Sequence, residues 1–514
     1  MKGVAKISGI DPFWLIIATG LCLRLIIASL LPPGYDEAYY LFYGRHLNLS
    51  YFDHPPAVGV WSWLGQQLGD GVLALRTPSV ISYSVSLITL AEATKKWFGK
   101  SARLWVAIIG SACPLIFVCG GILLLPDSPL LLGISLLLLW LSRNPEYTPT
   151  GPRKAAFLSL ILAFISLSKY HSFIILASLL AISLTSPSRR ASWGTIWPWM
   201  TVGLWLIFSS PLWIWNYQHD WISFSFHSGR TTAGQEFSIE GSALFLLSQI
   251  GLLFPTIGFL LIGSAFSQRS HSKTEAGRLL LMLALPQLVI FVALAGRMQV
   301  MASWLVPAWW ICLPLAAAWL AEQGWRSRRV RAGVVGTGCV LPPLLILATC
   351  HMRWGILNTW FPASQDPSTQ LIHPDEVRKA LAGKPDVWKA IQTADVIASH
   401  RYEIPGFFAL ALSRNNGQHF TTLGDDPRGF AFWPSLRQDR VSRGILVAPL
   451  ERESSLAARA FPAPIHNVRS LGTIKIQRSG VPAMVVELAS FEATPGSYPW
   501  PYGGHDILIS AQPE

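Results

Sequence analysis

The sequence predicts a polytopic α-helical membrane protein that ends in a soluble α/β or α+β domain. Of the 514 residues, 51% are hydrophobic and only 13% are charged, about half the charged share of a typical soluble domain. Apolar segments follow one another from residue 11 to residue 350 and then give way to ordinary mixed sequence. The chain therefore divides into a membrane part, 1–350, and a C-terminal part, 351–514.

The membrane part should contain about eleven transmembrane helices, because crossing a hydrocarbon core of about 30 Å takes about 20 apolar residues. The expected spans are 11–31, 76–94, 102–123, 127–142, 155–168, 171–185, 195–213, 242–264, 279–296, 303–321 and 332–350. The first runs into GYDEAYY without a small-residue cleavage site, so we expect a retained span and not a signal peptide. Arg24 inside it should face the bundle interior or a cavity.

The basic residues fix the expected orientation. They gather in alternate loops, on the same side as Lys2 and Lys6: Lys95, Lys96, Lys100, Arg103, Arg143, Arg153, Lys154, Arg189, Arg190, Arg269, Lys273, Arg278, Arg326, Arg328, Arg329 and Arg331. The positive-inside rule then puts the N-terminus in the cytoplasm. The first outer loop, 32–75, and the whole C-terminal part face outward.

The stretch 155–187 is apolar except for SKYHS at 168–172. Basic residues on both flanks favour a hairpin over one long tilted helix. Lys169 and His171 would then lie below the outer surface, where an ammonium needs a carboxylate or a lipid phosphate as partner.

Charge and cysteine content exclude other classes. The net charge of +12 is spread over short clusters between apolar segments, which is typical of orientation signals and not of a nucleic-acid-binding groove. The six cysteines lie in or beside apolar segments and show neither metal-ligand spacing nor a disulfide framework.

The C-terminal part has the pattern of a compact domain with helices and short strands. HPDEVRKALAGKPDVWKAIQ predicts helix, and ADVIASHRY, ILVAPL, TIKIQR and AMVVEL predict strands. The tail from Glu492, rich in Pro, Gly and Tyr, is expected to be irregular.

The candidate catalytic segment is Gly34–Pro56, GYDEAYYLFYGRHLNLSYFDHPP. It contains Asp36, Glu37, Asp53 and His54, and acidic groups near a membrane are costly unless they serve a site or face water. The alternative is a solvated loop with an interfacial aromatic belt, which would not need two acidic pairs.

Further outward-facing candidates lie elsewhere in the membrane part: Asp127, Lys169, His219, Asp220, Arg230 and Arg297. Asp127 lies between two prolines in LLLPDSPLLL, where it could equally be a helix cap. The segment 214–230, IWNYQHDWISFSFHSGR, could hold a metal or a sugar ring, or form an interfacial helix.

An ordered set of motifs carries a family resemblance. GYDEAYYLFYGRHLNLSYFDHPP, LLLPDSPLLL, LSKY at 167–170 and PLWIWNYQHDWISFSF at 211–226 resemble the bacterial branch of the protein O-mannosyltransferase-like glycosyltransferases. That group includes the galacturonic-acid and aminoarabinose transferases of lipid A. The resemblance covers about 12–320, and more loosely the C-terminal part through SHRYEIPGFFALAL and FAFWPS.

The resemblance implies a glycosyltransferase of GT-C architecture in the bacterial inner membrane. Such enzymes use a polyprenyl-phosphate-linked sugar at the outer face, invert the anomeric carbon, and act on a lipid, glycan or protein acceptor. The catalytic base would be Asp36, with Glu37 beside it. Lys169, Arg297 and His54, with Arg230 as a further candidate, would meet the donor phosphate. Asp53, Asp127, Tyr39, His219 and Asp220 would contact substrate.

The sequence departs from the aminoarabinose branch before the two prolines, where Asp53-His54 replaces the usual Glu-Lys pair. Either Lys169 supplies the missing positive charge, or a divalent cation does, held by Asp53 with His54 or His219. His54 could also only shape the turn before Pro55. No other cofactor is expected.

Two other classes remain open. A transporter or flippase of polyprenyl-linked sugars would explain the spans and buried charges, although the sequence shows no repeated halves. A non-catalytic membrane scaffold would leave the Asp36 segment and Lys169 unexplained.

Overall fold

The computed structural model describes residues 11–232, 236–266, 273–325, 327–360, 366–412, 417–424, 426–433, 441–450, 456, 465–478 and 480–495. Its contacts divide the chain into two compact units. The first, here called the membrane unit, is made of 1–28, 47–65 and 76–345. The second, the C-terminal unit, is made of 29–46, 66–75 and 346–514. The segment with Asp36 and Glu37 thus belongs to the same unit as the C-terminal part, although the sequence suggested a single boundary near residue 350.

The helices up to residue 354 account for every apolar segment predicted from the sequence. They are α1 (Pro12–Leu30), α2 (Tyr35–Arg45), α3 (Ala57–Leu68), α4 (Val72–Ala112), α5 (Pro114–Gly121), α6 (Asp127–Arg143), α7 (Pro152–Ser166), α8 (Ser172–Ser183), α9 (Pro187–Ser192), α10 (Ile196–Phe208), α11 (Ser210–Gln218), α12 (Ile222–Thr232), α13 (Ile239–Leu252), α14 (Pro255–Phe266), α15 (Glu275–Ala295), α16 (Val306–Gln323) and α17 (Arg328–Trp354). A 3₁₀ turn, Ala302–Leu305, precedes α16.

The chain is a multi-pass membrane protein by the length and composition of these helices. Among the described residues, five helices are long and apolar enough to span a membrane, or up to seven if two bent pairs each count as one span. The shorter helices α6, α7, α8 and α10 also coincide with predicted spans. The expected number of about eleven spans stays a prediction.

Two of the predicted spans are bent helix pairs. The second half of α4, Lys100–Ala112, meets α5 at 77°, and α13 meets α14 at 114°. Both second helices begin with proline, which has no N–H to continue a preceding helix. Phe254, between α13 and α14, has φ +72°. The two bends are in contact, because the Cys113 thiol donates to the Leu253 carbonyl at 3.7 Å.

The core of the membrane unit forms around α16, the most buried of its long helices. Trp309 and Trp310 on α16 are buried, and their indole N–H groups donate to Gln249 and Ser135 at 3.0 and 2.9 Å. Buried indoles need such partners. Arg24 on α1 is completely buried, which confirms the expectation that it faces the interior.

The stretch 155–187 forms two helices, α7 and α8, separated by a turn at 167–171. Lys169 and His171 lie in this turn. One continuous helix is therefore ruled out, since the polar SKYHS sequence interrupts the apolar pattern. The return of the second helix to the cytoplasmic side stays a prediction.

The C-terminal unit contains one mixed five-stranded sheet, of order β2-β1-β3-β5-β4. Its strands are β1 (Val396–Ser399), β2 (His419–Thr422), β3 (Ser442–Pro449), β4 (Ile465–Arg478) and β5 (Val481–Ala493). β1 pairs in parallel with β2 and β3, whereas β5 pairs antiparallel with β3 and β4. The four predicted strands coincide with β1, β3, β4 and β5; β2 was missed.

The helices of this unit are α18 (Pro374–Ala382), α19 (Pro385–Thr393) and α20 (Ile404–Ala411), with 3₁₀ turns at Pro367–Gln370 and Arg428–Phe432. The predicted helical segment 373–392 is two helices, because α18 ends at Gly383 and Pro385 begins α19. The tail expected to be irregular lies, from residue 496, outside the described residues.

Candidate active site

Helix α2 presents the first acidic pair. Gly34 is its N-cap residue, and the Glu37 carboxylate accepts a hydrogen bond from the Gly34 N–H at 2.9 Å. A glutamate at the third helical position commonly bonds back in this way to the start of a helix. Glu37 is only 1% exposed. Its carboxylate therefore has a structural task at the beginning of α2.

Asp36 lies one residue earlier in the first turn of α2 and remains partly exposed. Successive residues on a helix point about 100° apart, so the two carboxylates face different surroundings. The helix start favours a negative side chain there. Of the pair, Asp36 is the carboxylate with access to solvent.

Tyr39 follows on the same helix and is completely buried. Its phenol oxygen accepts hydrogen bonds from the Gly429 N–H at 2.8 Å and from the Tyr43 hydroxyl at 3.2 Å. Its ring packs edge-on against Tyr402 at 5.1 Å. These contacts hold α2 against Tyr402 and Gly429. The substrate contact expected of Tyr39 stays a prediction.

A buried ion pair joins Asp127 and Lys169 in the membrane unit. The Lys169 ammonium donates to both carboxylate oxygens of Asp127, at 2.9 and 2.8 Å. Asp127 is 1% exposed and Lys169 is 3% exposed. Asp127 lies in the first turn of α6, and the hydrogen bonds that the structure describes for its carboxylate both come from Lys169. The partner that the Lys169 ammonium needed is therefore a carboxylate.

The turn at Tyr51–His54 is held by neighbouring helices. The Tyr51 N–H donates to the His54 carbonyl at 3.0 Å. From α12, the Ser223 hydroxyl donates to the Tyr51 carbonyl at 3.1 Å and His227 Nε2 donates to the Asp53 carbonyl at 3.0 Å. Asp53 is 3% exposed and His54 is half-buried. Side chains of α12 thus help to hold the backbone of this turn.

Tyr170, next to Lys169, connects the same region. Its hydroxyl accepts a hydrogen bond from the Asn216 amide at 3.2 Å, and its ring lies 5.0 Å from that of His227. Burial raises the pKa of Tyr170, with hydrogen bonds from Ser223 and Asn216 opposing the rise. The motifs at 51–54, 167–170 and 216–227 therefore meet in one place within the membrane unit.

His227 occupies a position that the sequence analysis did not single out. The His54 and His227 rings lie 6.5 Å apart, and His227 is bonded to the carbonyl of Asp53, the residue before His54. Ser223 and His227 are four residues apart on α12, the spacing that puts two side chains on one helix face. The sequence of 214–230 already contains this four-residue spacing, which could have pointed to His227.

His219 and Asp220 lie at the corner between α11 and α12. The His219 ring stacks on Trp215 at 4.0 Å and its Nδ1–H donates to the Trp215 carbonyl at 2.7 Å. Burial lowers the pKa of His219, opposed by that hydrogen bond and by Asp220. Asp220 is exposed and has φ +50°, in the left-handed region.

The expected divalent cation finds no three-ligand site in the part of the chain that the structure describes. There, no group of three or more His, Cys, Asp or Glu side chains is arranged to hold a metal ion. Asp53, His54 and His219 thus do not form such a site, and no step of the reaction is assigned to a metal.

Arg297 is the exposed basic candidate. It lies in the turn after α15, where its N–H donates to the Leu294 carbonyl at 2.8 Å. Its side chain is exposed, and within the described ranges its guanidinium lies in no ion pair. The side chain of Arg230 lies outside the described residues.

The fold is that of the GT-C glycosyltransferases. The family model "Dolichyl-phosphate-mannose-protein mannosyltransferase" matches residues 53–215. This range contains the Asp53–His54 turn, Asp127 and Lys169. The resemblance to the O-mannosyltransferase-like glycosyltransferases is confirmed.

Two particular proteins are similar to this chain. Lipid A galacturonosyltransferase RgtD of Rhizobium johnstonii is 22% identical over 318 residues, which are 60% of this chain and 65% of RgtD. The match thus spans slightly less than two thirds of that relative. The crystal structure of ArnT from Cupriavidus metallidurans in the apo state aligns with a TM-score of 0.60 and 13% identity, over 93% of this chain and 97% of ArnT. At this identity the likeness establishes the fold.

Proposed function

We propose that this chain is an integral membrane glycosyltransferase that moves a sugar from a polyprenyl-phosphate donor to a lipid, polysaccharide or protein acceptor at the outer face of the bacterial inner membrane. The observation that carries the proposal is the partly exposed Asp36 carboxylate at the start of α2, in a chain with the fold of ArnT. RgtD, by its name, acts on lipid A with galacturonic acid, so these are the first acceptor and sugar to test.

In the proposed reaction, an acceptor hydroxyl attacks the anomeric carbon of the donor sugar. Asp36 accepts the hydroxyl proton as the new C–O bond forms. The bond from the anomeric carbon to the phosphate oxygen breaks, and polyprenyl phosphate leaves with the bonding electrons, so the anomeric configuration is inverted. A phosphate is already a good leaving group and needs positive charge at its oxygens more than a general acid.

Arg297 is the proposed phosphate-binding cation, because it is exposed and forms no ion pair with the described residues. Lys169 is bound to Asp127 at 2.8 Å and could meet a phosphate only by sharing or leaving that partner. His54, half-buried before Pro55, is the third candidate. Asp53, Asp127, His219 and Asp220 are proposed to shape the substrate site.

The C-terminal part is proposed to lie outside the membrane, opposite the cytoplasmic N-terminus. The basic residues in alternate loops support this orientation. In this proposed orientation, residues 32–75 and the chain after residue 351 lie on the outer side of the membrane.

The transporter alternative has one observation in its favour. Broken helices with polar groups at their bends are common in transporters, and the two bent pairs meet at Cys113 and Leu253. A transporter would move the intact donor lipid across vesicle membranes without forming a new glycosidic bond.

The test uses the purified full-length chain in detergent. A panel of labelled polyprenyl-phosphate sugars, galacturonic acid first, is offered with a membrane lipid extract, and products are separated by chromatography. Label in a new glycolipid or glycan supports the proposal and names the donor. Donor binding without transfer of any sugar, together with donor movement in reconstituted vesicles, would favour transport.

A further inference from the structure

Arg24 is a completely buried cation in the membrane unit, outside the proposed catalytic residues. It lies on α1, and its Nη2 donates to the Ser84 hydroxyl at 2.9 Å. The guanidinium also faces the rings of Tyr83 and Phe117, at 4.8 and 5.7 Å from their centroids. These neighbours are uncharged.

Most of the hydrogen-bonding capacity of Arg24 is unused. A guanidinium has five N–H donors, yet Nε and Nη1 have no hydrogen-bond partner among the described residues, and no described carboxylate pairs with Arg24. The hydroxyl of Ser111, on α4, is likewise buried and without a partner. Buried polar groups without partners are uncommon and call for an explanation, such as a bound ion or water.

The two unpartnered groups converge beside Gly20. A Cβ added at Gly20 would lie 3.1 Å from Ser111 Oγ and 3.2 Å from Arg24 Nη1. The hydroxyl and the guanidinium nitrogen are therefore no farther apart than those two distances together. Two donors within that separation are close enough for one small ion to contact both, and a Cβ at position 20 would press on both of them.

The positive charge of Arg24 determines which kind of ligand suits the space beside it. Arginine does not lose its proton in proteins, and a buried charge without a counter-charge costs several kcal/mol. A cation–π contact offsets on the order of 2 kcal/mol when desolvated. Water would satisfy N–H donors but would leave the positive charge uncompensated, whereas an anion would do both.

We propose that Arg24 and Ser111 bind a small inorganic anion, of the size and charge of chloride, inside the membrane unit. The ion accepts hydrogen bonds from the free N–H groups of Arg24 and from the Ser111 hydroxyl, and it supplies the counter-charge that the bundle lacks. This site is independent of the proposed sugar transfer.

The test is thermal unfolding of the purified full-length protein in detergent, with sodium chloride replaced stepwise by sodium gluconate at constant ionic strength. A ligand that binds only the folded state raises the melting temperature in a saturable way. We expect wild type to melt about 1–2 °C higher in saturating chloride than in gluconate, since a given stabilisation shifts the melting temperature less in a chain of 514 residues than in a small domain.

Variants show whether the chloride effect on the melting temperature arises at Arg24 and Ser111. Arg24→Met and Ser111→Ala should abolish or strongly weaken the chloride response, whereas Arg143→Gln, which changes an exposed arginine, should keep it. Crystals grown in bromide should show an anomalous peak between Arg24 and Ser111.

Several outcomes would overturn the proposal. They are equal melting of wild type in chloride and gluconate, a chloride response that Ser111→Ala retains in full, and a bromide peak only elsewhere. If Arg24→Met does not fold, Ser111→Ala and the bromide peak decide the question by themselves.

Discussion

At the scale of single residues, two adjacent carboxylates have different tasks. Glu37 is buried and accepts the hydrogen bond of the Gly34 N–H, whereas Asp36 remains partly exposed. The sequence offers both as acids in one loop and cannot rank them by surroundings. The start of α2 does distinguish them, because the carboxylate of Glu37 is the one that binds the backbone N–H of Gly34.

The Asp127–Lys169 pair leads to a prediction about stability. Removing one partner leaves a buried charge without compensation, which costs about 3–5 kcal/mol. Asp127→Leu and Lys169→Met should each strongly lower the melting temperature, while the double variant should recover most of the loss. Thermal unfolding of wild type, the two single variants and the double variant gives the coupling energy between Asp127 and Lys169. Additive losses in the double variant would contradict the buried pair.

The same double variant separates two roles of Lys169. If its only task is to neutralise Asp127, the double variant should recover sugar transfer along with stability. If Lys169 also binds the donor phosphate, or Asp127 also shapes the substrate site, stability should return and transfer should not. Sugar transfer by wild type and by the double variant is compared through the KM for the donor and through kcat.

His46 leads to a prediction about pH. Its ring stacks on Trp433 at 4.8 Å, and burial, with the nearby charges of Arg45 and His419, lowers its pKa to about 4. Folding therefore favours the neutral ring. That contribution is fully present above the unfolded pKa of about 6.5 and is lost as pH falls from there through about 4.

The measurement is the melting temperature of wild type and of His46→Phe, which keeps a stacked ring, between pH 7.5 and pH 4.5. The variant should lose less stability than wild type over this range, by on the order of 2 kcal/mol. His466→Phe, at an exposed position, serves as the control and should follow wild type. Parallel curves for wild type and His46→Phe would contradict the account.

At the scale of elements, α2 is held by close packing within the C-terminal unit. A Cβ added at Gly406 on α20 would collide with the carbonyl of Ala38 on α2. Tyr39 adds the hydrogen bond from Gly429. The helix with Asp36 is therefore positioned by residues more than 360 positions later in the chain.

Gly406→Ala should displace α2 and so reduce both stability and transfer. Glycine to alanine inside a helix normally stabilises by about 1 kcal/mol, so the sign of the change is informative. Gly203→Ala on α10, where a Cβ meets nothing within 4 Å, is the matched control and should be neutral or stabilising. Equal behaviour of the two variants would show that α2 and α20 are not in close contact.

Helix α12 has the corresponding task in the membrane unit, since Ser223 and His227 hold the turn with Asp53 and His54. Ser223→Ala removes one buried hydrogen bond at a cost of about 1 kcal/mol. We expect a modest loss of stability and a larger effect on donor KM than on kcat, because the variant loosens a turn and leaves Asp36 untouched. Unchanged donor KM would separate this turn from the donor site.

At the scale of the whole molecule, hydrophobic segments and turn signals predicted most of the secondary structure. Every predicted apolar segment is helical, and four of the five strands were expected. β2 was missed because HFTT is only four residues long beside a polar stretch. The bends at Cys113–Pro114 and at Leu253–Phe254 were also missed, since apolar composition does not report a change of helix direction.

The site was predictable in its residues but less so in its contacts. Lys169 clearly needed an anion, yet only the structure shows that Asp127 supplies it. The resemblance grouped Tyr39 with the substrate contacts, and only the structure shows that its hydroxyl is bonded to Gly429, far along the sequence. Contacts over such distances depend on tertiary packing, which no local pattern encodes.

The most direct test of the central claim is sugar transfer by Asp36→Asn and Glu37→Gln beside wild type, with donor binding measured on each protein. Loss of a general base costs about 10²- to 10⁴-fold in rate. The account predicts that Asp36→Asn folds, binds donor and loses transfer by this factor. It predicts that Glu37→Gln, whose amide oxygen can still accept the Gly34 hydrogen bond, keeps most of its activity. Full transfer by Asp36→Asn, with activity lost in Glu37→Gln at normal stability, would contradict the assignment of Asp36 as the base.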